Sequence, residues 1–232
     1  MNNQDITIIT VIILFSIGGL LWVAAKYNKV NWGSGWFDVI DGLNRFICIY
    51  FHRLKPLKIN LPEQGGCILV CNHVSGLDPL VLIAAARRPL RFMIAREEYE
   101  RFGLQWLFRG VGCIPVERKG RPEQALREAL RAVQAGEVVA LFPHGKMHLD
   151  SDPKRKLKKG VAWLAQKADV PVIPFRLTGV RGEGHTILSV FMRSRINIEE
   201  FSSIKCTEDH ADCLNKIATC IEAKKVSAKD EV

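Results

Sequence analysis

Residues 67–79 read CILVCNHVSGLDP. Cys67–Cys71 is a run of five apolar residues with no polar alternate position, too short for a helix. A run of that kind is a strand buried on both faces. It ends in a polar turn that carries His73, Ser75 and Gly76. Asp78 and Pro79 then supply an N-cap and a first helical residue. A strand that feeds a helix through a short turn is the repeating unit of an α/β sheet. The end of such a strand is where these sheets place their sites.

Working outward, further strands are expected at Phe92–Ala95, Cys113–Val116, Val138–Phe142, Val172–Leu177 and Thr186–Val190. Helices are expected at Pro79–Arg87, Glu97–Phe108, Pro122–Ala135, Gly160–Lys167 and Asp209–Lys225. The helix from Pro122 has proline in its first turn and Gly136 just past its end, a well-marked start and stop. Alternating strands and helices, with strands that do not alternate in polarity, predict a mixed, largely parallel sheet flanked by helices, an α/β fold. Pro171 and Pro174 place the strand at Val172–Leu177 at an edge or a bulge.

Composition sets the outer bounds. The chain has 232 residues, 48% of them hydrophobic, and 33 Lys+Arg against 24 Asp+Glu give a net charge of +9. It is too apolar to be disordered and too short for two large domains. Its mean hydropathy of +0.05 is too low for a polytopic membrane protein. The positive balance suits an anionic membrane surface, a phosphorylated substrate or nucleic acid. No helix-turn-helix, zinc finger or aromatic stacking motif is visible, so no nucleic-acid partner is expected. Seven cysteines, an odd number with no C-x-x-C pair, argue against a disulfide framework and a zinc ribbon. Reduced thiols are expected, with Cys206, Cys213 and Cys220 on one helical face.

Ile6–Ala25 contains no charge: ITIITVIILFSIGGLLWVAA. Twenty such residues match a bilayer core of about 30 Å. No Lys or Arg precedes the run, which is also long for the apolar part of a signal peptide. Lys26, Lys29, Arg45, Arg53, Lys55 and Lys58 follow it. The positive-inside rule then predicts a single-pass membrane protein with its main domain on the cytoplasmic side. In the following stretch, Trp36, Val39, Ile40, Leu43, Ile47 and Tyr50 recur at helical spacing. An interfacial amphipathic helix and an ordinary core helix both fit that pattern. Residues 1–30 are therefore read as a transmembrane anchor and 31–55 as an interfacial helix. Residues 56–225 form the main domain, and 226–232 a frayed tail.

Four stretches could carry chemistry. In the first, His73 and Asp78 flank a turn that can bring the carboxylate to one imidazole nitrogen. That contact would fix the tautomer and support an imidazolium. An N-capping Asp78 beside a loop histidine is the plainer alternative. The second stretch, Gly112–Arg118, ends a strand in Glu117 and Arg118, a planar donor fork suited to phosphate. A surface arginine at a strand end is the commoner case. The third is Phe142-Pro143-His144-Gly145-Lys146, where Gly145 permits a tight turn with exposed amides. A basic run follows it: Lys154, Arg155, Lys156, Lys158 and Lys159. That run reads either as a solvated or membrane-facing surface or as a phosphate site. The fourth, Val170-Pro171-Val172-Ile173-Pro174, holds no titratable group and would be pocket wall.

In their order and spacing these stretches resemble the blocks of the 1-acylglycerol-3-phosphate acyltransferase family of glycerophospholipid acyltransferases. NHVSGLD matches the family's His-x4-Asp block. GCIPVER looks like its second block, with Glu117 in place of Asp. VPVIP fits the fourth block, and Leu157-Lys158-Lys159-Gly160 is similar to a lysine-glycine element. FPHGK departs from the usual FPEGT, with His144 for Glu and Lys146 for Thr. The resemblance covers about residues 54–190. It implies transfer of an acyl group from acyl-CoA or acyl-carrier protein to a lysophospholipid hydroxyl at the lipid bilayer, with no other cofactor. Within it, His73 would be the general base and Asp78 its partner. Arg118, with Glu117 beside it, would hold the acceptor's phosphate. His144, Gly145 and Lys146 would shape the acceptor site, and Pro174 would line an acyl channel. Lysophosphatidate is the first expectation for the acceptor. The departures at His144 and Lys146 keep another lysophospholipid, or a lyso-aminolipid, in view.

Two other classes fit parts of the sequence. His144 and His148, four residues apart with Asp150 nearby, could ligate a metal if helical, as in a hydrolase. Gly145 and Pro143 favour a turn instead, and no metal is expected. A non-catalytic protein binding anionic lipid would explain the anchor and the charge, but not the His-x4-Asp turn.

Overall fold

The structure is a computed structural model, and it describes residues 2–118, 120 and 122–222. The chain begins with α1 (Asn3–Tyr27) and α2 (Gly35–Tyr50), then enters the sheet at β1 (Cys67–Cys71). There follow α3 (Asp78–Ala85), β2 (Leu90–Ala95), α4 (Arg96–Tyr99), α5 (Gln105–Gly110) and β3 (Ile114–Val116). Next come α6 (Glu123–Gln134), β4 (Val138–Leu141), α7 (Gly160–Ala168) and β5 (Val172–Thr178). The last elements are α8 (Leu188–Phe191), β6 (Asn197–Glu200) and α9 (His210–Glu222).

The six strands form one sheet in the order β3-β2-β4-β1-β5-β6. All neighbours are parallel except β5 and β6. The β1 strand therefore lies inside the sheet, and every one of its residues is buried. Its side chains alternate between two cores. Leu69 and Cys71 meet α3 through Val81, Leu82 and Ala85, with Cys48 of α2 in the same layer. Ile68 and Val70 meet α6, α7 and α9 on the other face. Each fully buried Leu or Ile contributes on the order of 1.5–3 kcal/mol. Both faces of the sheet are covered, as the expected α/β architecture requires.

The amphipathic helix at residues 35–50 is turned apolar side out. Its buried residues are Asp41, Gly42, Arg45 and Cys48. Asp41 and Arg45 pair at 2.6 Å, and Arg45 also donates to the Ala84 carbonyl at 2.7 Å. Trp36, Ile40, Ile47 and Tyr50 face outward. A core helix would show the opposite arrangement. The α1 helix packs across α2 at Gly42, where a Cβ would lie 1.9 Å from the Ala24 carbonyl oxygen. The α1 helix is long and apolar enough to cross a membrane, and its most apolar window is not buried.

Several local expectations are corrected. Thr186–Val190 is not a strand: Ile187 and Leu188 are exposed, and residues from Leu188 form α8. The sixth strand is instead Asn197–Glu200, where Ile198 alone is buried. The expected helix at 97–108 breaks into α4 and α5 around Gly103, whose φ is +80°. The strand holding Pro174 is internal. Its neighbour β6 ends at Glu200; the Phe201 amide still donates to the Pro174 carbonyl at 3.1 Å, but the proline has no N–H to return, and the paired exchange resumes only between Val172 and Ile204. Cys206 precedes α9 and is joined to Cys213 by a disulfide. Their spacing closes a loop onto the helix and does not mark one helical face. Cys67 and Cys113 are free, and burial pushes their thiols up to about 11 and about 12. The expected tail at 226–232 lies outside the described residues.

Candidate active site

The β1 strand delivers His73 to the C-terminal edge of the sheet, between the ends of β4 and β5. Asp78 opens α3 and is fully buried. Its carboxylate collects four donors. His73 Nδ1 lies 2.8 Å from Oδ2, the Val74 and Ser75 amides donate to Oδ2 at 2.6 and 2.9 Å, and the Ser75 hydroxyl donates to Oδ1 at 2.8 Å. A carboxylate so supplied is an acceptor, which assigns the proton to Nδ1 of His73 and leaves Nε2 as the basic nitrogen. Among the described residues Nε2 has no protein partner. The capping reading of Asp78 is corrected: Leu77 is the N-cap of α3, no side chain caps the helix, and the Asp78 carboxylate instead reaches back to hold the turn and the imidazole.

The imidazole is fixed from the side as well. Parallel pairing of β1 with β4 brings Phe142 to the level of His73, and the two rings stack 4.1 Å apart at 13°. Phe92 of β2 backs Phe142. The His148 amide donates to the His73 carbonyl at 2.7 Å. Gly76 is required by a close approach: a Cβ there would sit 1.9 Å from the Thr186 carbonyl oxygen. Behind the turn, Asn72 is buried, donating to the Leu177 carbonyl and accepting from the Leu177 amide. It extends the ladder between β1 and β5 and is structural.

The other expected residues divide. Gly145 adopts φ +75° in a turn closed by its amide on the Phe142 carbonyl at 2.9 Å. Lys146 is exposed beside it, and the Lys158 amide donates to the Pro143 carbonyl at 2.8 Å. This turn adjoins His73 through Phe142. His144 is buried, 3.1 Å from Glu222 of α9 through Nε2, and its ring stacks on His148 at 4.3 Å. Burial lowers its pKa, against the hydrogen bond to the Glu222 carboxylate, which raises it. Asp150, the third residue of the metal reading, instead pairs with the buried Arg176 at 2.6 Å. Among the described residues no group of three His, Cys, Asp or Glu side chains is placed to hold a metal ion.

Glu117 and Arg118 follow β3, which two strands separate from β1, about 14 Å across the sheet at ordinary strand spacing. Arg118 is exposed and pairs with Glu97 at 2.9 Å, while Glu117 pairs with Arg96 at 3.1 Å. The structure does not bring Arg118 against His73. To reach a ligand there, it must leave Glu97 and turn inward along the edge. Pro174 is buried in β5 opposite Val70. Ser75, Phe142 and Glu222 were not anticipated. Ser75 sits inside the His-x4-Asp turn, where a serine three residues before a helix-opening Asp is a readable local signal. Phe142 and Glu222 reach the site only through tertiary pairing.

A model of the family described as Acyltransferase matches residues 57–178, just over half of the chain and all four stretches. The 1-acyl-sn-glycerol-3-phosphate acyltransferase of Bacillus subtilis (strain 168) is 24% identical over 123 residues, covering 53% of this chain and 60% of its own length. The N-acylphosphatidylethanolamine synthase of Arabidopsis thaliana is 34% identical over 134 residues, covering 53% of this chain and 46% of its own. The chain thus spans about half the length of the curated relatives it matches. The crystal structure of the 1-acyl-sn-glycerophosphate (LPA) acyltransferase PlsC from Thermotoga maritima superposes with a TM-score of 0.59 at 19% identity, covering 93% of this chain and 89% of that one. That likeness concerns the fold.

Proposed function

This chain belongs to the Acyltransferase family, and on that premise we propose that it moves a fatty acyl group from a thioester donor to the hydroxyl of a lysophospholipid at a membrane. The observation that carries the reading is the 2.8 Å contact of His73 Nδ1 with buried Asp78, which leaves Nε2 as a base. Nε2 takes the proton of the acceptor hydroxyl as its oxygen attacks the thioester carbonyl. Asp78 supports the imidazolium that results. The tetrahedral intermediate collapses by breaking the C–S bond, and the departing thiolate receives the proton from His73. No acyl-enzyme is needed, and the sequence has no G-x-S-x-G elbow for one.

Acyl-CoA or acyl-carrier protein is the proposed donor, and lysophosphatidate the first choice of acceptor. The activity for which the B. subtilis relative is named supports that choice. In this reading Gly145, Lys146 and the nearby lysines receive phosphate groups, and Arg118 turns inward to the acceptor. Pro174 is wall to the acyl chain. The α1 helix anchors the protein in the bilayer, with the charges that follow it on the cytoplasmic side. A second acceptor class has a specific observation behind it. His144 occupies the position of the family's glutamate and is engaged with Glu222, so the turn presents a different set of groups to the headgroup. Membranes carrying the protein, given labelled acyl-CoA and a panel of lysolipids, should yield phosphatidate as the main product by mass spectrometry. A different diacyl product would move the acceptor assignment. No labelled lipid from any member of the panel, with either donor, would remove the transfer reading.

A further inference from the structure

Two excursions leave the C-terminal edge of the sheet on either side of His73. Residues 96–113 join β2 to β3, and residues 179–196 join β5 to β6. The strand order places them on opposite flanks of β1. Each carries large apolar side chains into the open. Phe102 is 102% exposed and Trp106 59%, while Ile187 is 62%, Leu188 52% and Phe191 73% exposed. The second group lies in and just past the apolar run TILSV at residues 186–190, which the sheet does not absorb. Aggregated exposure of this kind marks an interaction surface.

Both tips are tied to α2. Phe37 stacks on Trp106 at 6.0 Å and fills the space over Gly110. Past the other end of α2, the His52 ring lies by the Val190 carbonyl. Between the tips run the outward residues Trp36, Ile40, Ile47 and Tyr50 of α2, and α1 packs on the same helix at Gly42. The apolar band is thus continuous with the helix that is apolar enough to enter a bilayer. Arg109, Arg181 and Arg193 are exposed near the tips and have no carboxylate partner among the described residues, a pattern suited to lipid phosphates. The inner tip is also wired to the catalytic turn, since Gly184 donates to the Val74 carbonyl at 2.8 Å and Gly76 to the His185 carbonyl at 3.1 Å.

We propose that the 102–106 and 187–191 tips are a second lipid contact, borne by the enzyme domain, that seats the His73 edge of the sheet on the bilayer interface. The contact stands apart from the acyl-transfer reading; its consequence for turnover rests on that reading. To test it, p-benzoylphenylalanine is placed at position 102, 191 or 134 of the full chain, reconstituted in vesicles of phosphatidylethanolamine and phosphatidylglycerol. Gln134 is exposed at the end of α6, on the opposite edge of the sheet. Illumination should give lipid acyl-chain adducts at 102 and 191 several-fold above those at 134. Adducts no more frequent than at 134, or cross-links to another protein chain in their place, overturn the proposal. In a second arm, the Phe102→Ser, Phe191→Ser double variant should lose several-fold in transfer to a vesicle-borne lysolipid and keep its rate on a short-chain, water-soluble one. Equal loss on both acceptors contradicts a docking role. No transfer by the unaltered protein on either acceptor defeats the acyl-transfer reading and leaves the cross-linking result standing.

Discussion

At Asp78 a single buried carboxylate holds the turn and the imidazole together. His52 shows what an unsupported histidine costs. It is fully buried, and neither ring nitrogen has a partner at hydrogen-bonding geometry. Burial lowers its pKa from the ordinary 6.5, and the nearby Val190 carbonyl only softens the effect. His144 is shifted in the same direction by its own burial. In both, the folded state binds fewer protons than the unfolded chain below the ordinary histidine value. Their stability is therefore full above about pH 6.5 and is lost as the pH falls through that value toward the folded ones. His52→Phe removes one contribution without removing a hydrogen bond. Denaturant titrations at about pH 7.5 and about pH 5.5 should show a smaller loss on acidification in the variant than in the parent. An equal loss would mean that His52 is solvated or paired.

The α2 helix shows why an amphipathic pattern alone does not say which side faces in. Its apolar stripe looks outward, and the helix is docked through polar groups, Asp41 with Arg45 and Arg45 with the Ala84 carbonyl. Removing one partner leaves a buried charge uncompensated, so Asp41→Ala should destabilise by about 3–5 kcal/mol, read from the unfolding midpoint of the detergent-solubilised chain. A loss below about 1 kcal/mol would mean that the pair is solvated. The interior strands were legible for a simple reason: Cys67–Cys71 and Val138–Leu141 are buried on both faces and carry no polar residue. The edge strand Asn197–Glu200 buries only Ile198 and leaves no such trace. Thr186–Val190 misleads for the opposite reason, being apolar without being core. The His73–Asp78 pair was readable because it lies within six residues. The Phe142 stack, the Glu222 contact and the Arg118–Glu97 pair depend on which strands and helices meet, which local sequence does not encode.

For the whole molecule, the net charge of +9 and the near-zero mean hydropathy combine two unlike parts. One is an uncharged N-terminal helix, the other a basic α/β domain whose sheet edge carries His73, the Gly145 turn and two exposed apolar tips. Lys146, Lys154, Arg155, Lys156, Lys158 and Lys159 are all exposed on the loop that leaves β4 at that edge. The positive charge thus gathers where thioester donor, phosphorylated acceptor and anionic bilayer would meet in the proposed reaction. Everything in that account passes through one nitrogen, Nε2 of His73. The direct test is transfer from labelled acyl-CoA to lysophosphatidate in vesicles by the full chain and by His73→Ala, with equal amounts of folded, membrane-bound protein. The account predicts a fall of about a hundredfold or more in the variant, the scale of a lost general base. A variant that transfers at close to the parental rate would contradict it.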